Sequence, residues 1–168
     1  MKEQIKTLAR QYAPDLIANR RHLHANPELS FNEFKTAKFV AEQLKAIGLT
    51  PQEGVANTGL VALIEGRAGR SSENRVVGLR ADMDALPIHE ANEVPYKSTV
   101  EGVMHACGHD VHTSSLLGTA RILQQLRDQF EGTVKLVFQP AEEKAPGGAS
   151  LMIKDGELEN PAPASMLG

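Results

Sequence analysis

One short segment concentrates the chemistry-bearing side chains of this sequence. Residues 104–112 read Met-His-Ala-Cys-Gly-His-Asp-Val-His and include Cys107, the only cysteine, and three of the six histidines. A thiolate and a neutral imidazole are good ligands for borderline divalent metal ions. Cys107 and His109 are two positions apart, so their side chains would lie on the same side of an extended segment, with Gly108 between them allowing close backbone approach. The pattern predicts a metal site; the alternative is a buried structural cysteine beside histidines that cap a helix.

A second pair of candidates, Glu142 and Glu143, leaves the carboxyl end of the apolar run 133–138. Sites in open α/β sheets lie just beyond the carboxyl ends of strands. Adjacent side chains diverge in an extended chain, so one carboxylate can bind a metal ion while its neighbour accepts a proton from water. Such a base is expected to be a desolvated carboxylate beside another negative group. A solvated Glu-Glu-Lys turn is the alternative.

Further polar side chains flank these two segments. Asp82 and Asp84 follow an apolar run and can either orient the imidazole of a metal ligand or cap a helix. Asp110 and His112 can orient ligands from the first turn of the helix after the cysteine.

Two histidines near the N-terminus are weaker candidates. His22 and His24 lie beside two arginines and can form a basic surface that meets a substrate carboxylate. The simpler interpretation is a helix C-terminus enriched in cations, which interact favourably with the helix dipole.

Helical spacing of apolar residues dominates the first part of the chain. A first helix is expected to break at Pro14, with Asp15 capping a second one. Ser30 and Glu33 have the spacing of a capping box, which predicts the start of the next helix. Gly48 suits the left-handed position at its end.

Short β-branched runs then alternate with helical patterns. Runs 60–64 and 76–79, separated by a polar turn with Ser71, Ser72 and Asn74, are predicted to be neighbouring strands. The remaining predicted elements are a helix over about 111–126, a strand over 133–138, a short helix between Gly147 and Gly156, and a loop entering a strand at 161–168. The alternation predicts an α/β fold.

Composition excludes several classes of protein. The 168 residues carry 18 Lys and Arg against 21 Asp and Glu, a net charge of −3, and 41% are hydrophobic, as in ordinary globular domains. No nucleic-acid partner is expected, because phosphate binding needs clustered basic residues. The N-terminal sequence has no continuous apolar run, so neither a signal peptide nor a membrane span is predicted. A single cysteine leaves no internal disulfide, which favours a cytoplasmic location.

Four linked motifs resemble the M20 family of metallo-aminoacylases and carboxypeptidases. The motifs are Arg-His-Leu-His-Ala-Asn-Pro-Glu-Leu-Ser-Phe-Asn-Glu at 21–33, Arg-Ala-Asp-Met-Asp-Ala-Leu-Pro at 80–87, His-Ala-Cys-Gly-His-Asp-Val-His at 105–112 and Gln-Pro-Ala-Glu-Glu at 139–143. The branch they resemble most contains hippurate hydrolases, auxin-conjugate amidohydrolases and N-acetyldiaminopimelate deacetylases. The resemblance extends from residue 5 to residue 168. It implies a three-layer α/β/α fold with a mixed, mostly parallel sheet of the zinc-peptidase type, truncated relative to the family.

The resemblance also implies roles for individual residues. The matching metal ligands are Cys107, His109 and Glu143, and Glu142 matches the general base. Asp84, a further candidate for the catalytic set, matches an aspartate that supports a histidine ligand two residues earlier, where this sequence has Asp82. Family members are longer and take two more histidine ligands from later segments. The chain is therefore expected to be the N-terminal portion, 1–168, of a catalytic domain, without the lid and dimerisation domain.

The implied reaction is hydrolysis of the amide bond of small N-acyl amino acids by water activated on one or two divalent ions, namely Zn, Mn, Co or Ni. The full-length protein is expected to form a homo-oligomer. The piece of 168 residues is expected to be inactive alone and to expose apolar surface where strands of the family sheet are missing. One alternative makes Cys107 a nucleophile activated by His105 or His109. The other is a non-catalytic metal-binding module.

Overall fold

The structure, a computed structural model, describes residues 1–69 and 75–168. The predicted polar turn with Ser71, Ser72 and Asn74 lies outside the described residues. The helices are α1 (Lys2–Ala25), α2 (Phe34–Ala46), α3 (His109–Gln125) and α4 (Gly148–Lys154), and the strands are β1 (Gln52–Val55), β2 (Gly59–Glu65), β3 (Val76–Asp82), β4 (Thr133–Gln139) and β5 (Ser165–Leu167).

The strands form one mixed sheet in the order β1-β2-β4-β3-β5. Strand β2 is antiparallel to β1 and β4, whereas β3 is parallel to β4 and β5. Four of the five described strands therefore point the same way, as the fold class predicts. The prediction that runs 60–64 and 76–79 are neighbours is wrong, because β4 lies between β2 and β3. Strand β4 is buried along nearly its whole length, which suits the centre of a sheet covered on both faces.

Helices cover both faces of the sheet, so the three-layer arrangement is confirmed. Alternate residues of β2 and β4 point to opposite faces. On one face the sheet packs against α2 and α3, in a core that includes Leu60, Leu136, Phe138, Val40, Leu44 and Leu116. On the other face Val61 and Val137 pack with Met152 of α4. Helix α1 packs against α3 rather than against the sheet.

The predicted helix break at Pro14 is wrong, since α1 continues through it. A proline inside a helix costs about 3 kcal/mol. Pro14 itself is exposed, whereas Leu8 and Leu23, on either side of it, are buried. We infer that packing of the whole helix outweighs the local cost. Asp15 is not a cap either, because it lies inside α1 and accepts a hydrogen bond from Arg121 at 2.6 Å.

Ser30 and Glu33 do not form a capping box, because no side chain caps α2. Glu33 is 0% exposed and accepts hydrogen bonds from the Thr58 hydroxyl, at 2.7 Å, and from the backbone N–H of Ala141, at 2.8 Å. A buried carboxylate needs such donors, and these two come from the loops after β1 and β4. Gly48, with φ +80°, ends the α2 segment in the left-handed conformation as predicted.

The remaining elements agree with the sequence patterns, with two differences. Helix α3 begins at His109, earlier than predicted, and β1 is not predicted at all. Three of the four β1 residues are exposed, so the run lacks an apolar signal. Within the described ranges, no helix is both long and apolar enough to cross a lipid bilayer.

Candidate functional site

The candidate site lies at the edge of the sheet where the parallel strands β3 and β4 end, at Asp82 and Gln139. The loop 83–108 and the start of α3 follow β3, and the turn 140–147 follows β4. The carboxyl ends of adjacent parallel strands bring these segments together, although they are far apart in the sequence.

Three of the candidate ligands meet at this edge. The donor atoms of Cys107, His109 and Glu143 all lie within 4.8 Å of one another. His109 is buried, and its Nε2 lies 3.8 Å from Oε1 of Glu143. Cys107 and Glu143 are exposed, so the group opens to solvent. A thiolate, an imidazole and a carboxylate fit a divalent metal ion with at least one coordination position left for water or substrate.

Gly108 sets the relative orientation of the two ligands beside it. The expected extended segment is wrong, because Gly108 has a left-handed φ of +91° and His109 is the first residue of α3. A Cβ added to Gly108 would meet nothing within 4 Å. The glycine is therefore needed for its backbone conformation and not for close approach.

Asp84 connects the two halves of the site. Nδ1 of His109 donates to the backbone carbonyl of Asp84 at 2.8 Å and lies 3.2 Å from its Oδ1. The same carboxylate accepts the backbone N–H groups of Glu142 and Glu143, both at 3.0 Å, and the hydroxyl of Ser30 at 2.6 Å. Because Nδ1 donates to Asp84, Nε2 is the His109 nitrogen available to a metal ion.

These hydrogen bonds also determine the charge of Asp84. Burial alone would raise its pKa, but the hydrogen bonds from His109, from Ser30 and from two backbone N–H groups outweigh burial. They hold the pKa of Asp84 well below its usual range, so the group is a carboxylate at neutral pH. Asp84 thus orients a histidine of α3, and the helix-capping alternative for it is not observed.

Asp82 has a different set of partners. Its Oδ1 lies 2.7 Å from Nδ1 of His112, and its Oδ2 lies 2.9 Å from a nitrogen of Arg80 and 3.5 Å from Nε2 of His109. Asp82, His109 and His112 form a second group whose donor atoms are all within 4.8 Å of one another. Because the guanidinium of Arg80 already compensates Asp82, we interpret this second group as an ion-pair network that supports His112.

Several carboxylates surround the candidate metal ligands Cys107 and His109. The hydrogen bond to Glu143, then burial and then the nearby carboxylates raise the pKa of the Cys107 thiol. Burial lowers the pKa of His109, but the hydrogen bond to Asp84 and the charge of Asp82 outweigh it and raise this pKa. Such a site attracts a divalent cation, which can replace the proton on the sulfur. The raised pKa argues against Cys107 as a free thiolate nucleophile.

The turn after β4 carries the two glutamates and is tightly packed. A Cβ added to Gly148 would lie 1.7 Å from the carbonyl oxygen of Pro140. Asp84 fixes the backbone of Glu142 through a hydrogen bond. The side chain of Glu142 is exposed, whereas the sequence predicts a desolvated carboxylate as the base. The Glu142 side chain is therefore accessible to solvent.

His22 and His24 do not form a joint basic surface. His22 is exposed and stacks on Phe39, with 4.4 Å between ring centroids. His24 is 3% exposed, and its two ring nitrogens lie 2.8 Å from Asp110 Oδ2 and 3.0 Å from Glu90 Oε1. Both histidines lie in the last turn of α1, as the simpler interpretation predicts. The substrate-binding alternative is wrong for His24, and Asp110 orients this histidine instead of a metal ligand. Nothing in the local sequence marks Glu90 as part of this network.

His105, the other histidine of the cysteine segment, is also buried. Burial is the main cause that lowers its pKa to about 4, so its imidazole is neutral at neutral pH.

Together these features define the class of protein: a three-layer α/β fold with three candidate metal-donor side chains at the carboxyl ends of parallel strands. Residues 78–168, more than half of the chain, match the family described as Peptidase family M20/M25/M40. The chain belongs to this family, which confirms the expectation from the sequence motifs.

Individual relatives agree with this assignment. The chain is 50% identical over 158 residues to an N-acyl-L-amino acid amidohydrolase of Geobacillus stearothermophilus, a match covering 94% of this chain and 42% of that protein. It is 49% identical over 140 residues to a hippurate hydrolase of Campylobacter jejuni, covering 83% and 35%. A solved dinuclear metal-binding peptidase of the M20 family from Bacillus subtilis superimposes with a TM-score of 0.85 at 41% identity, covering 94% and 42%. The chain thus spans about two fifths of the length of such relatives.

Proposed function

We propose that this chain provides the Cys-His-Glu part of a metal-dependent site that hydrolyses the amide bond of N-acyl amino acids. The observation that carries the proposal is the convergence of Cys107, His109 and Glu143, whose donor atoms lie within 4.8 Å of one another. The similarity to an N-acyl-L-amino acid amidohydrolase and to a hippurate hydrolase supports the class of substrate.

In this proposal, Cys107, His109 and Glu143 bind one or two divalent ions. A divalent ion held by these residues would lower the pKa of a bound water to about 7 and would polarise the substrate carbonyl. The mixture of thiolate, imidazole and carboxylate is compatible with Zn, Co or Ni, and also with Mn. Asp84 keeps Nε2 of His109 directed at the ion by accepting a hydrogen bond from Nδ1.

Glu142 acts as the general base. It takes a proton from the water that attacks the carbonyl carbon, and passes that proton to the amide nitrogen as the C–N bond breaks. Its position beside Glu143, with both backbone N–H groups bound to Asp84, supports this role because the base then lies next to a metal ligand.

We further propose that the complete active site needs residues outside the 168 present here. Three donors leave coordination positions open, and the relatives are more than twice as long as the matched segment. On this proposal the chain is the N-terminal portion of a catalytic domain, is inactive alone, and belongs to a homo-oligomer whose lid domain lies elsewhere. A cytoplasmic location likewise remains a prediction.

The general-base role is tested by Glu142→Gln in a protein with the complete catalytic domain. We expect kcat on hippurate or an N-acetyl amino acid to fall by about 100- to 10,000-fold, while metal content is unchanged. Glu131→Gln is the matched control, because Glu131 is exposed just before the start of β4, at the opposite end of that strand. Near-normal turnover of Glu142→Gln would end the assignment. Loss of turnover with retained metal also excludes the non-catalytic metal-binding module.

The alternative in which Cys107 acts as a nucleophile predicts a different response to chelators. The metal proposal predicts that EDTA abolishes turnover and that added divalent ions restore it. A Cys107 nucleophile would work equally well in EDTA. Iodoacetamide alone does not separate the two, because alkylation of Cys107 blocks a ligand as well as a nucleophile.

A further inference from the structure

His24 forms a buried bridge between two carboxylates behind the candidate metal ligands. Its Nδ1 lies 2.8 Å from Oδ2 of Asp110, and its Nε2 lies 3.0 Å from Oε1 of Glu90. All three side chains are at least 95% buried. Nε of Arg20, one turn earlier in α1, lies 2.8 Å from the same Asp110 oxygen.

The bridge joins the two carboxylates through one imidazole ring. Carboxylate oxygens accept hydrogen bonds, and each of the two carboxylates faces a different ring nitrogen of His24. Arg20 adds a guanidinium beside Asp110. A buried pair of like charges without this compensation is strongly unfavourable.

The two carboxylates belong to the two segments that carry the metal ligands. Asp110 directly follows His109 in the first turn of α3. Glu90 belongs to the loop 83–108, which ends at Cys107 and Gly108. The backbone N–H of Ser98 donates to Glu90 at 2.6 Å, so Glu90 also organises the middle of this loop.

The C-terminal end of α1 contacts the same loop through further residues. The backbone N–H and hydroxyl of Thr99 both donate to the carbonyl of Ala25, at 2.9 and 2.7 Å. The Tyr96 ring meets the edge of the His24 ring, with 5.6 Å between centroids, and lies 4.9 Å from the Arg20 guanidinium. The end of α1 is thus attached to the loop on one side and to α3 on the other.

We propose that His24 is a positioning residue for the metal ligands Cys107 and His109. By joining Glu90 to Asp110, it fixes the loop that carries the sulfur against the helix turn that carries the imidazole. The inference rests on the proposed function only in that these two residues bind a metal ion; it does not depend on the substrate or on turnover.

The experiment is a Co²⁺ titration of a protein with the complete catalytic domain, followed by the thiolate-to-cobalt charge-transfer absorption and by competition with a chromophoric chelator. The absorption band reports ligation by Cys107 itself. A variant that is merely less stable but still folded should keep the same band. For His24→Gln we expect a folded chain with affinity about 10- to 100-fold lower and a weakened or shifted band. The glutamine amide donates to one carboxylate and turns its oxygen toward the other.

Two further variants make the test specific. Leu8→Ala is the matched control, since Leu8 is buried on the same helix but packs against the far end of α3. It is expected to lower Tm and leave the cobalt affinity within about twofold. The double variant His24→Gln with Glu90→Gln restores a hydrogen-bonded bridge, because the amide at position 24 can donate to Asp110 and accept from the amide at position 90. It is expected to recover most of the affinity, as coupled partners do.

The outcomes separate the inference from the proposed function. Wild-type affinity and band in folded His24→Gln would overturn the inference and leave the metal centre intact, and an equal loss in Leu8→Ala would also overturn it. Absence of a thiolate band in the wild-type protein with the complete catalytic domain would overturn the Cys107 metal centre itself, and the inference with it. If His24→Gln does not fold, the double variant decides: restored affinity supports positioning, and a folded double variant with weak affinity refutes it.

Discussion

Replacing Asp84 with asparagine should be among the most damaging single changes to this site. The Asp84 carboxylate accepts four hydrogen bonds, from His109, Ser30 and the backbone N–H groups of Glu142 and Glu143. Each oxygen receives two of them, so exchanging one oxygen for an NH2 group removes the acceptor for two donors. A hydrogen bond to a charged group contributes about 1.5–3 kcal/mol. The free energy of unfolding of Asp84→Asn is therefore expected to fall by roughly 3–6 kcal/mol at neutral pH.

The assay is urea denaturation of Asp84→Asn and wild type, repeated between about pH 7 and about pH 3. The folded-state pKa of Asp84 lies below its ordinary value of 3.8. The Asp84 carboxylate therefore stabilises the fold fully above pH 3.8, and this contribution is lost as the pH falls further. The difference in free energy of unfolding between wild type and Asp84→Asn should therefore become smaller in acid. The control is Asp15→Asn, an exposed ion pair with Arg121, for which we expect less than about 1 kcal/mol. A deficit below about 1 kcal/mol for Asp84→Asn at pH 7, or one independent of pH, would refute the reasoning.

Two further substitutions test other parts of the structure. Gly108→Ala places a side chain at φ +91°, a strained conformation for any residue with a Cβ, although no atom obstructs that Cβ. The free energy of unfolding should fall by roughly 1–3 kcal/mol, and cobalt binding should weaken. Unchanged stability in urea would contradict this account. Lys135 is buried and donates to the carbonyl oxygens of Glu157 and Glu159. Lys135→Met should lower the free energy of unfolding by roughly 1–3 kcal/mol at neutral pH, because two backbone carbonyl oxygens lose their donor. It also removes the positive charge that partly offsets burial of the Glu157 carboxylate. Adding Glu157→Gln should recover part of the loss, and a single variant as stable as wild type would show that Lys135 is dispensable.

Local patterns predicted most of the elements but not their arrangement. The run 133–138 is unambiguous as a strand, yet its position between β2 and β3 depends on burial of both its faces, which is a property of the whole sheet. At Pro14 the local sequence predicts a helix break, but α1 continues through the proline because the whole helix packs against α3. Glu33 has the correct spacing for a cap, but its carboxylate is used by donors distant in the sequence.

For the candidate site as well, the sequence indicates individual residues better than it indicates their partners. Cys107 and His109 are conspicuous because they are close in sequence, and Glu143 is found only by assuming that strand ends meet at one edge. Asp84 is anticipated from the sequence as a residue that could orient a histidine ligand, but its contacts with Ser30 and with the backbone of Glu142 and Glu143 are not, and Glu90 carries no local signal at all. Their contacts arise from the path of loop 83–108 and from the end of α1, which short-range spacing does not describe.

The bond between the Glu33 carboxylate and the backbone of Ala141 spans 108 positions of the chain. It forms only once α2 and the turn after β4 are both in place, and closing such a long separation is entropically slow. The backbone beside Glu142 is therefore held by a residue at the start of α2, a helix that carries none of the candidate metal ligands. A change at the start of α2 would reach the two glutamates through this single buried hydrogen bond.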